Sequence, residues 1–266
     1  MRRHHKNINQ FPVMKKSLRM LAAAGLGLNL VSAHAQMGAM PGGPDFGGSL
    51  SKLFGSNQAF SANLEIQSTD GSSNLTVMPG KISFASGKSR FEVNLAEVQS
   101  KLMPAGVADQ LKPMGLDQMV MVARPDKKAG YLVYPGMQSY VQTDLSDSES
   151  AATNSNYRVE TAELGKETVD GHPCLKKKVV VTDQDGGKQE FTAWNATDLK
   201  NFPVKILSAD TTMLFKNVSL TQPAASLFET PAGYTKYDDM QTMMQQQIIK
   251  RMGGGLPGRI AAPADK

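Results

Sequence analysis

Hydrophobic and polar residues alternate along much of the chain from residue 60 onward. Phe60, Ala62, Leu64 and Ile66 are interleaved with Ser61, Asn63, Glu65 and Gln67, and this period of two predicts a strand with one buried face. Further strands are predicted at residues 75–77, 82–84, 91–95, 118–123, 130–134, 137–142, 157–169, 175–182, 188–196, 204–208 and 212–220. Turn residues separate them, among them Pro79-Gly80, Gly87-Lys88 and Asp185-Gly186-Gly187. The pattern predicts an antiparallel meander, apolar on one face and polar on the other.

Two segments depart from this period. Residues 96–116 carry Val98, Leu102, Val107 and Leu111 at helical spacing, and Pro104 and Gly106 divide them into two short pieces. We expect this insert to lie across the sheet, with its apolar residues facing the concave side. Residues 236–252 predict a helix whose apolar stripe comprises Met240, Met243, Met244, Ile248 and Met252.

Both ends of the chain differ in composition from the strands. Residues 1–35 combine basic residues, an apolar run at 20–31 and Ala33-His34-Ala35, the three parts of a secretory signal peptide cleaved before Gln36. Residues 36–58 are rich in Gly, Met and Pro and predict a flexible lead-in with a short helical turn near 50–54. The β domain is expected at 59–237, the Met/Gln-rich helix at 238–252 and a disordered tail at 253–266.

Removal of the predicted leader changes the net charge of the chain. The formal net charge of +5 includes six basic residues of the leader, and the chain without the leader has a balance of −1. The basic character of the precursor therefore does not indicate nucleic-acid binding. We expect a periplasmic or secreted, monomeric protein with no nucleic-acid partner, able to make peripheral contact with the cell envelope.

Few residues offer catalytic or metal-binding chemistry. Beyond the leader His172 is the single histidine, and Cys174 is the single cysteine of the chain. We expect Cys174 to act as a small buried apolar residue rather than a thiolate paired with His172, because Pro173 separates them in extended backbone. Asp183, Asp185 and Gly186 form half of a calcium loop, which a hairpin turn explains equally well. The sequence predicts no enzyme, no metal and no cofactor.

The sixteen methionines allow two interpretations. Flexible thioethers suit an adaptable apolar cavity that accepts varied ligands, and they suit a loosely specified core equally well. An amphipathic stripe alone does not separate these alternatives.

Four stretches carry a family resemblance: residues 164–174 (Leu-Gly-Lys-Glu-Thr-Val-Asp-Gly-His-Pro-Cys), Trp194, Asp198-Leu199 with Phe202-Pro203-Val204, and residues 228–234 (Phe-Glu-Thr-Pro-Ala-Gly-Tyr). In this order the chain resembles, over residues 60–237, a family of secreted bacterial proteins catalogued as domain of unknown function 4412. It is similar in turn to lipoprotein carriers of the LolA and LolB type.

The resemblance implies a mainly β (α+β) fold: a strongly curved antiparallel sheet, or incomplete β-barrel, with a few helices covering its concave face. It implies binding of an apolar ligand such as a lipid, an acyl chain or a lipidated partner. The cavity residues expected from the pattern are Phe84, Phe91, Val93, Leu102, Leu111, Met119, Met121, Phe191 and Phe215. Arg90 is the candidate for the arginine that gates such cavities. The alternative function is an envelope structural or protein-interaction module without a small-molecule ligand.

Overall fold

Strands form most of the part of the chain that the structure describes. The structure is a computed structural model, and it describes residues 48–71, 73–101, 106–145 and 157–251. The predicted signal peptide, the first part of the lead-in, residues 146–156 and the predicted tail lie outside these residues.

The strands are β1 (Ala59–Thr69), β2 (Leu75–Ala85), β3 (Lys88–Asn94), β4 (Gln99–Ser100), β5 (Gln118–Arg124), β6 (Ala129–Tyr134), β7 (Ser139–Asp144), β8 (Arg158–Val169), β9 (His172–Thr182), β10 (Lys188–Ala196), β11 (Phe202–Ser208), β12 (Thr211–Ser219) and β13 (Thr235–Tyr237). The helices of the described residues are α1 (Gly48–Lys52), α2 (Val107–Met114) and α3 (Met240–Arg251).

All thirteen strands belong to one sheet. Its order is β13-β7-β6-β5-β3-β2-β1-β12-β11-β10-β9-β8, and β4 pairs with β2 beside this path. Neighbours are antiparallel except β13 and β7, which are parallel. The sheet is curved and unclosed, with β8 at one edge and β13 at the other. The predicted mainly β, antiparallel fold class is confirmed.

The alternation along the strands sorts apolar side chains onto two faces. The main cluster is the buried core to which β1, β2, β3, β5, β6, β7, β9, β10, β11, β12 and β13 all contribute. The second cluster comprises Ala85, Val120, Val122, Ala129, Tyr131, Val133 and Phe228. In β5, Met119 belongs to the main cluster and Val120 to the second, so the clusters lie on opposite faces of the sheet. Both faces of β5 and β6 are therefore buried, where the pattern predicted one polar face.

The predicted turn at Pro79-Gly80 is wrong, since both residues lie inside β2. Pro79 has a strand partner on the β1 side only. On the other side of β2, the pairing with β4 ends at Val77 and the pairing with β3 begins at Gly80. A residue without an N–H is tolerated at such a gap. At Gly80 a Cβ would lie 2.6 Å from the Phe91 ring, so the glycine permits close packing rather than a turn.

The helices also differ from the prediction. The first predicted piece of 96–116 is a 3-10 turn at Leu95–Glu97 followed by β4. Asn94 Oδ1 accepts a hydrogen bond from Ala96 N at the start of the turn, and Val98 returns to extended backbone at its end. The second piece is α2, which contacts the turns Leu95–Glu97 and Pro135–Met137. Both turns lie at the same end of the strands, so α2 packs at that end, and a helix across the concave face is not confirmed.

The C-terminal helix begins later than the predicted 236. Asp239 Oδ1 accepts a hydrogen bond from Thr242 N, which caps α3 at Met240, and residues 235–237 pair with β7 instead. Met243 is fully buried and Met240 and Met244 pack against the main cluster. The expected place of Ile248 on the buried stripe is wrong: its side chain is 48% exposed. Met252 lies outside the described residues.

Candidate functional site

The main cluster brings together most of the predicted cavity residues. Phe84, Phe91, Val93, Met119, Phe191 and Phe215 are buried in it, and Met121 packs against it half-buried. Leu111 is half-buried on α2, apart from this cluster, and Leu102 lies outside the described residues. The shared face follows from strand alternation. That these residues line a ligand cavity stays a prediction.

Residues in and just after α1 add buried side chains to the main cluster, in a part of the chain where a flexible lead-in with a short helical turn was expected. Leu50, Leu53 and Phe54 are buried, and the Phe54 ring lies 4.6 Å from Phe60 and 5.6 Å from Phe202, centroid to centroid. Phe84 and Phe215 complete this group, at 5.8 and 5.7 Å from Phe54. A short helical turn was expected near 50–54, and α1 lies at Gly48–Lys52; the burial of Leu53 and Phe54, which follow it, was not predicted.

Helix α3 also packs against the main cluster, beside β7 and β13. Its methionines enter the main cluster, and Gln247 Nε2 donates hydrogen bonds to Ser139 Oγ at 3.0 Å and to the Met137 carbonyl at 3.4 Å. Among the α3 residues whose side chains the structure describes, only Met243 is buried. The helix is thus attached through a few methionines and one glutamine.

Two tyrosines place hydroxyl groups within the main cluster. Tyr134 Oη donates to Met119 Sδ at 3.7 Å, a weak hydrogen bond to a thioether. Burial raises the pKa of Tyr134 to about 12, so the phenol is neutral at physiological pH. Tyr237 is buried on β13, which pairs with β7 along the edge of β7 that faces away from β6. These hydroxyls add polar groups to an otherwise apolar face.

A polar groove of about 550 Å³ involves the opposite face of β1, β2 and β3. Its charged lining includes Glu65, Lys81, Arg90, Glu92 and Lys216. Lys216 Nζ bonds Glu65 Oε2 at 3.0 Å, and this hydrogen bond holds the pKa of Glu65 below its usual value. The charges are largely paired with one another, so the groove does not suit an apolar ligand.

Arg90 does not gate the main cluster. It pairs across β3 and β5 with Val122 of the second cluster, whereas its neighbour Phe91 faces the main cluster. Arg90 Nε donates to Glu92 Oε1 at 2.7 Å and Nη1 donates to the Leu227 carbonyl at 3.1 Å. The guanidinium therefore holds a surface segment on the far side of the sheet.

The first stretch of the family resemblance forms a structural cluster with Trp194. Trp194 Nε1 donates to Glu167 Oε2 at 2.7 Å, and Lys176 Nζ bonds the other carboxylate oxygen at 2.7 Å. The hydrogen bond from Lys176 lowers the pKa of Glu167, and that from Trp194 adds to it. Lys176 and Lys205 place their ammonium groups 5.0 and 4.4 Å from the indole centroid. Trp194 is thus buried, although strand alternation places it on the same face of β10 as Glu190 and Thr192, which was expected to be the polar face.

His172 and Cys174 do not interact through their side chains. His172 Nδ1 lies 2.8 Å from Asp198 Oδ2, and this hydrogen bond lowers the pKa of Asp198. Cys174 Sγ donates to the His172 carbonyl at 3.3 Å. Burial raises the pKa of the Cys174 thiol, so it stays protonated at neutral pH and is a poor nucleophile.

The last stretch of the resemblance, at 228–234, is a strap over the second cluster. Phe228 is buried in this cluster, and the buried Arg124 donates to the Phe228 carbonyl at 3.1 Å. Arg124 also forms two 2.8 Å hydrogen bonds with Asp126 and an ion pair with Glu229. The strap leads the chain from β12 to β13, so these residues have a structural explanation.

The acidic residues of the hairpin between β9 and β10 also have a structural role. Asp183 Oδ1 accepts hydrogen bonds from the backbone N–H groups of Asp185 and Gly187, at 3.0 and 2.7 Å. Across the described residues no three His, Cys, Asp or Glu side chains are grouped to hold a metal ion. A helix long and apolar enough to cross a membrane is likewise not found in that part of the chain.

Comparison with models of known protein families finds no match, and comparison with curated protein sequences finds none either. The resemblance to the family of unknown function 4412 therefore stays a prediction.

Among solved structures, the chain is similar to an uncharacterized conserved protein from Thermus thermophilus at 10% identity and a TM-score of 0.40, covering 71% of this chain and 96% of that one. A LolA superfamily protein from Nitrosomonas europaea is 10% identical with a TM-score of 0.35, covering 67% and 93%. A putative outer membrane lipoprotein-sorting protein domain from Vibrio parahaemolyticus is 11% identical with a TM-score of 0.31, covering 67% and 92%.

Proposed function

We propose that this protein is an extracytoplasmic, non-enzymatic binding protein that holds an apolar ligand, namely a lipid, an acyl chain or the lipid of a lipidated partner. The observation that carries the proposal is how the apolar face of the sheet is packed. A single curved sheet carries the main cluster, to which short segments, Leu50–Phe54 and Met243 of α3, add buried side chains where other folds use a second sheet. We expect displacement of either segment to expose apolar side chains of the main cluster.

The energies make such an exchange feasible. Removing the ring of a buried phenylalanine such as Phe54 from its site costs about 3–5 kcal/mol. Each methylene that an acyl chain buries contributes about 0.8 kcal/mol, so a chain of about ten methylenes offsets the loss of the Phe54 contacts. The ligand then replaces the helix as the cover of the sheet.

A matched pair of variants tests this proposal. Phe54→Ala removes a ring from the main cluster, and Phe228→Ala removes an equally buried ring from the second cluster on the opposite face. With cis-parinaric acid as the fluorescent probe, we expect saturable binding by the wild type, tighter binding by Phe54→Ala and unchanged affinity for Phe228→Ala. Absence of saturable binding by all three proteins would refute the proposal.

An interaction module without a small-molecule ligand is the second candidate. It is favoured by β8, a twelve-residue edge strand that is exposed over most of its length and carries Val159 and Leu164 at 43% and 53% exposure. Long exposed edges readily pair with another chain. A protein that binds no probe, but that co-elutes as a complex lost on Thr161→Pro substitution in β8, would support this candidate over the first.

A further inference from the structure

The Tyr237 hydroxyl is buried without a hydrogen-bond partner among the described residues. The other buried polar side chains of that part of the chain are satisfied: Asn57 donates to the carbonyls of Phe54 and Lys200, Ser139 to the carbonyl of Met137, and Arg124 as described above. A buried O–H left unpaired is costly, and such groups in native proteins call for an explanation. Packing alone would be served better by phenylalanine.

The position of Tyr237 connects it to the proposed ligand surface. Tyr237 pairs with Val141 of β7, which in turn pairs with Leu132 of β6, and all three lie on the main-cluster face. Tyr237 is 5% exposed. Its hydroxyl therefore lies on the side of the sheet that carries the predicted cavity residues.

The helix next to Tyr237 along the chain is α3. It begins at Met240, three residues after Tyr237, and contacts β13 and β7. Met243 anchors it, while Ile248 and Ile249 are 48% and 46% exposed. Methionine side chains repack readily, and an attachment through them suits a helix that shifts when a ligand enters.

We infer that Tyr237 donates a hydrogen bond to the polar end of the bound ligand, a carbonyl or carboxylate oxygen of an acyl ester or fatty acid, and that α3 is the element displaced to admit it. This inference rests on the proposed function and adds an orientation to it. The polar end lies at β13, and the hydrocarbon chain runs over β7, β6, β5 and β3 towards the phenylalanines around Phe54.

The dimensions of the sheet agree with this orientation. Five strand spacings separate β13 from β2, which is about 24 Å along the sheet and less across its curved interior. The residues between the two ends on this face include the apolar Val141, Leu132, Met121, Met119, Phe91 and Val93. The hydroxyl groups of Tyr134 and Ser139 on the same face already donate to Met119 Sδ and to the Met137 carbonyl. Such a path suits one extended acyl chain with a single polar end.

Tyr237→Phe tests the inference with two probes that differ in their polar end, methyl laurate and tetradecane, each measured by displacement of N-phenyl-1-naphthylamine. We expect Tyr237→Phe to bind methyl laurate about fivefold to tenfold more weakly than the wild type, the effect of one hydrogen bond, and to bind tetradecane equally well. Thermal unfolding of the unliganded variant should occur at the same or a higher temperature. Tyr134→Phe is the control, because that hydroxyl already has the Met119 sulfur as acceptor.

The outcomes separate the two claims. Suppose that either probe displaces the dye from the wild type. If Tyr237→Phe then binds methyl laurate with unchanged affinity, or loses affinity for both probes alike, the inference is wrong and the proposed function stands. If neither probe binds to the wild type, both fail. A selective loss for methyl laurate in Tyr237→Phe, absent in Tyr134→Phe, supports the inference.

Discussion

At the scale of the residue, Arg124 has a defined structural role. It is 5% exposed, and its guanidinium bonds Asp126, Glu229 and the Phe228 carbonyl together. A lysine keeps the charge, but its single ammonium group lacks the planar set of N–H donors with which the guanidinium forms these bonds simultaneously. We expect Arg124→Lys to lower the free energy of unfolding by about 1–2 kcal/mol, a modest value because both carboxylates are partly exposed. Urea titration measures it, and a variant as stable as the wild type would contradict this role.

The same group predicts sensitivity to acid. The Arg124 hydrogen bond lowers the pKa of Asp126, and hydrogen bonds from Lys127 and then Arg124 lower that of Glu229. A carboxyl whose pKa is depressed in the folded state stabilises the fold above its ordinary pKa of about 4 and loses this contribution as the pH falls through the lowered value. Stability should therefore drop below about pH 4, and less steeply in an Asp126→Asn, Glu229→Gln double variant. Equal slopes in chemical denaturation across this pH range would count against the assignment.

Gly80 shows why a residue type can mislead when its neighbours are unknown. Pro-Gly is a strong turn signal, yet here the glycine makes room for the Phe91 ring and for the Glu92 carbonyl, which a Cβ would meet at 2.5 Å. We expect Gly80→Ala to destabilise the protein by about 3 kcal/mol. Gly71→Ala is the control, since its Cβ would meet nothing within 4 Å. Equal thermal shifts for the two variants would exclude close packing as the reason for Gly80.

At the scale of the element, the alternating pattern located most strands, because a period of two is a local property of the sequence. The ends were harder to predict. Helix α1 is five residues long. The apolar side chains in and just after it, Leu50, Leu53 and Phe54, become informative only when the phenylalanines around them are known. The burial of Trp194 likewise depends on Glu167 and Lys176, which adjoining strands bring beside it.

Helix α3 permits a direct test of its attachment. Met243→Ala removes the residue that anchors it in the main cluster, and we expect a loss of about 2–3 kcal/mol together with faster amide exchange in α3. Ile248→Ala changes an exposed side chain of the same helix and should alter stability by less than about 0.5 kcal/mol. If Ile248→Ala were the more damaging change, the orientation of α3 described here would be wrong.

At the scale of the whole molecule, the sequence predicted the class of fold and not the order of the sheet. Strand β1 pairs with β12, and this pairing joins Glu65 to Lys216 across 151 residues. The parallel pairing of β13 with β7 lies at the far edge. Such distant pairings depend on the total burial of both partners, which no local pattern records. The curvature that gathers eleven of the described strands around one cluster is likewise a property of the assembled sheet.

Binding of an apolar ligand is tested most directly by native mass spectrometry of the protein purified without detergent, followed by organic extraction of the same sample. We expect a non-covalent adduct of one lipid-sized molecule that extraction releases and identifies, and that is reloaded when the stripped protein meets lipid vesicles. A single mass equal to that of the polypeptide, unchanged after exposure to vesicles, would contradict it.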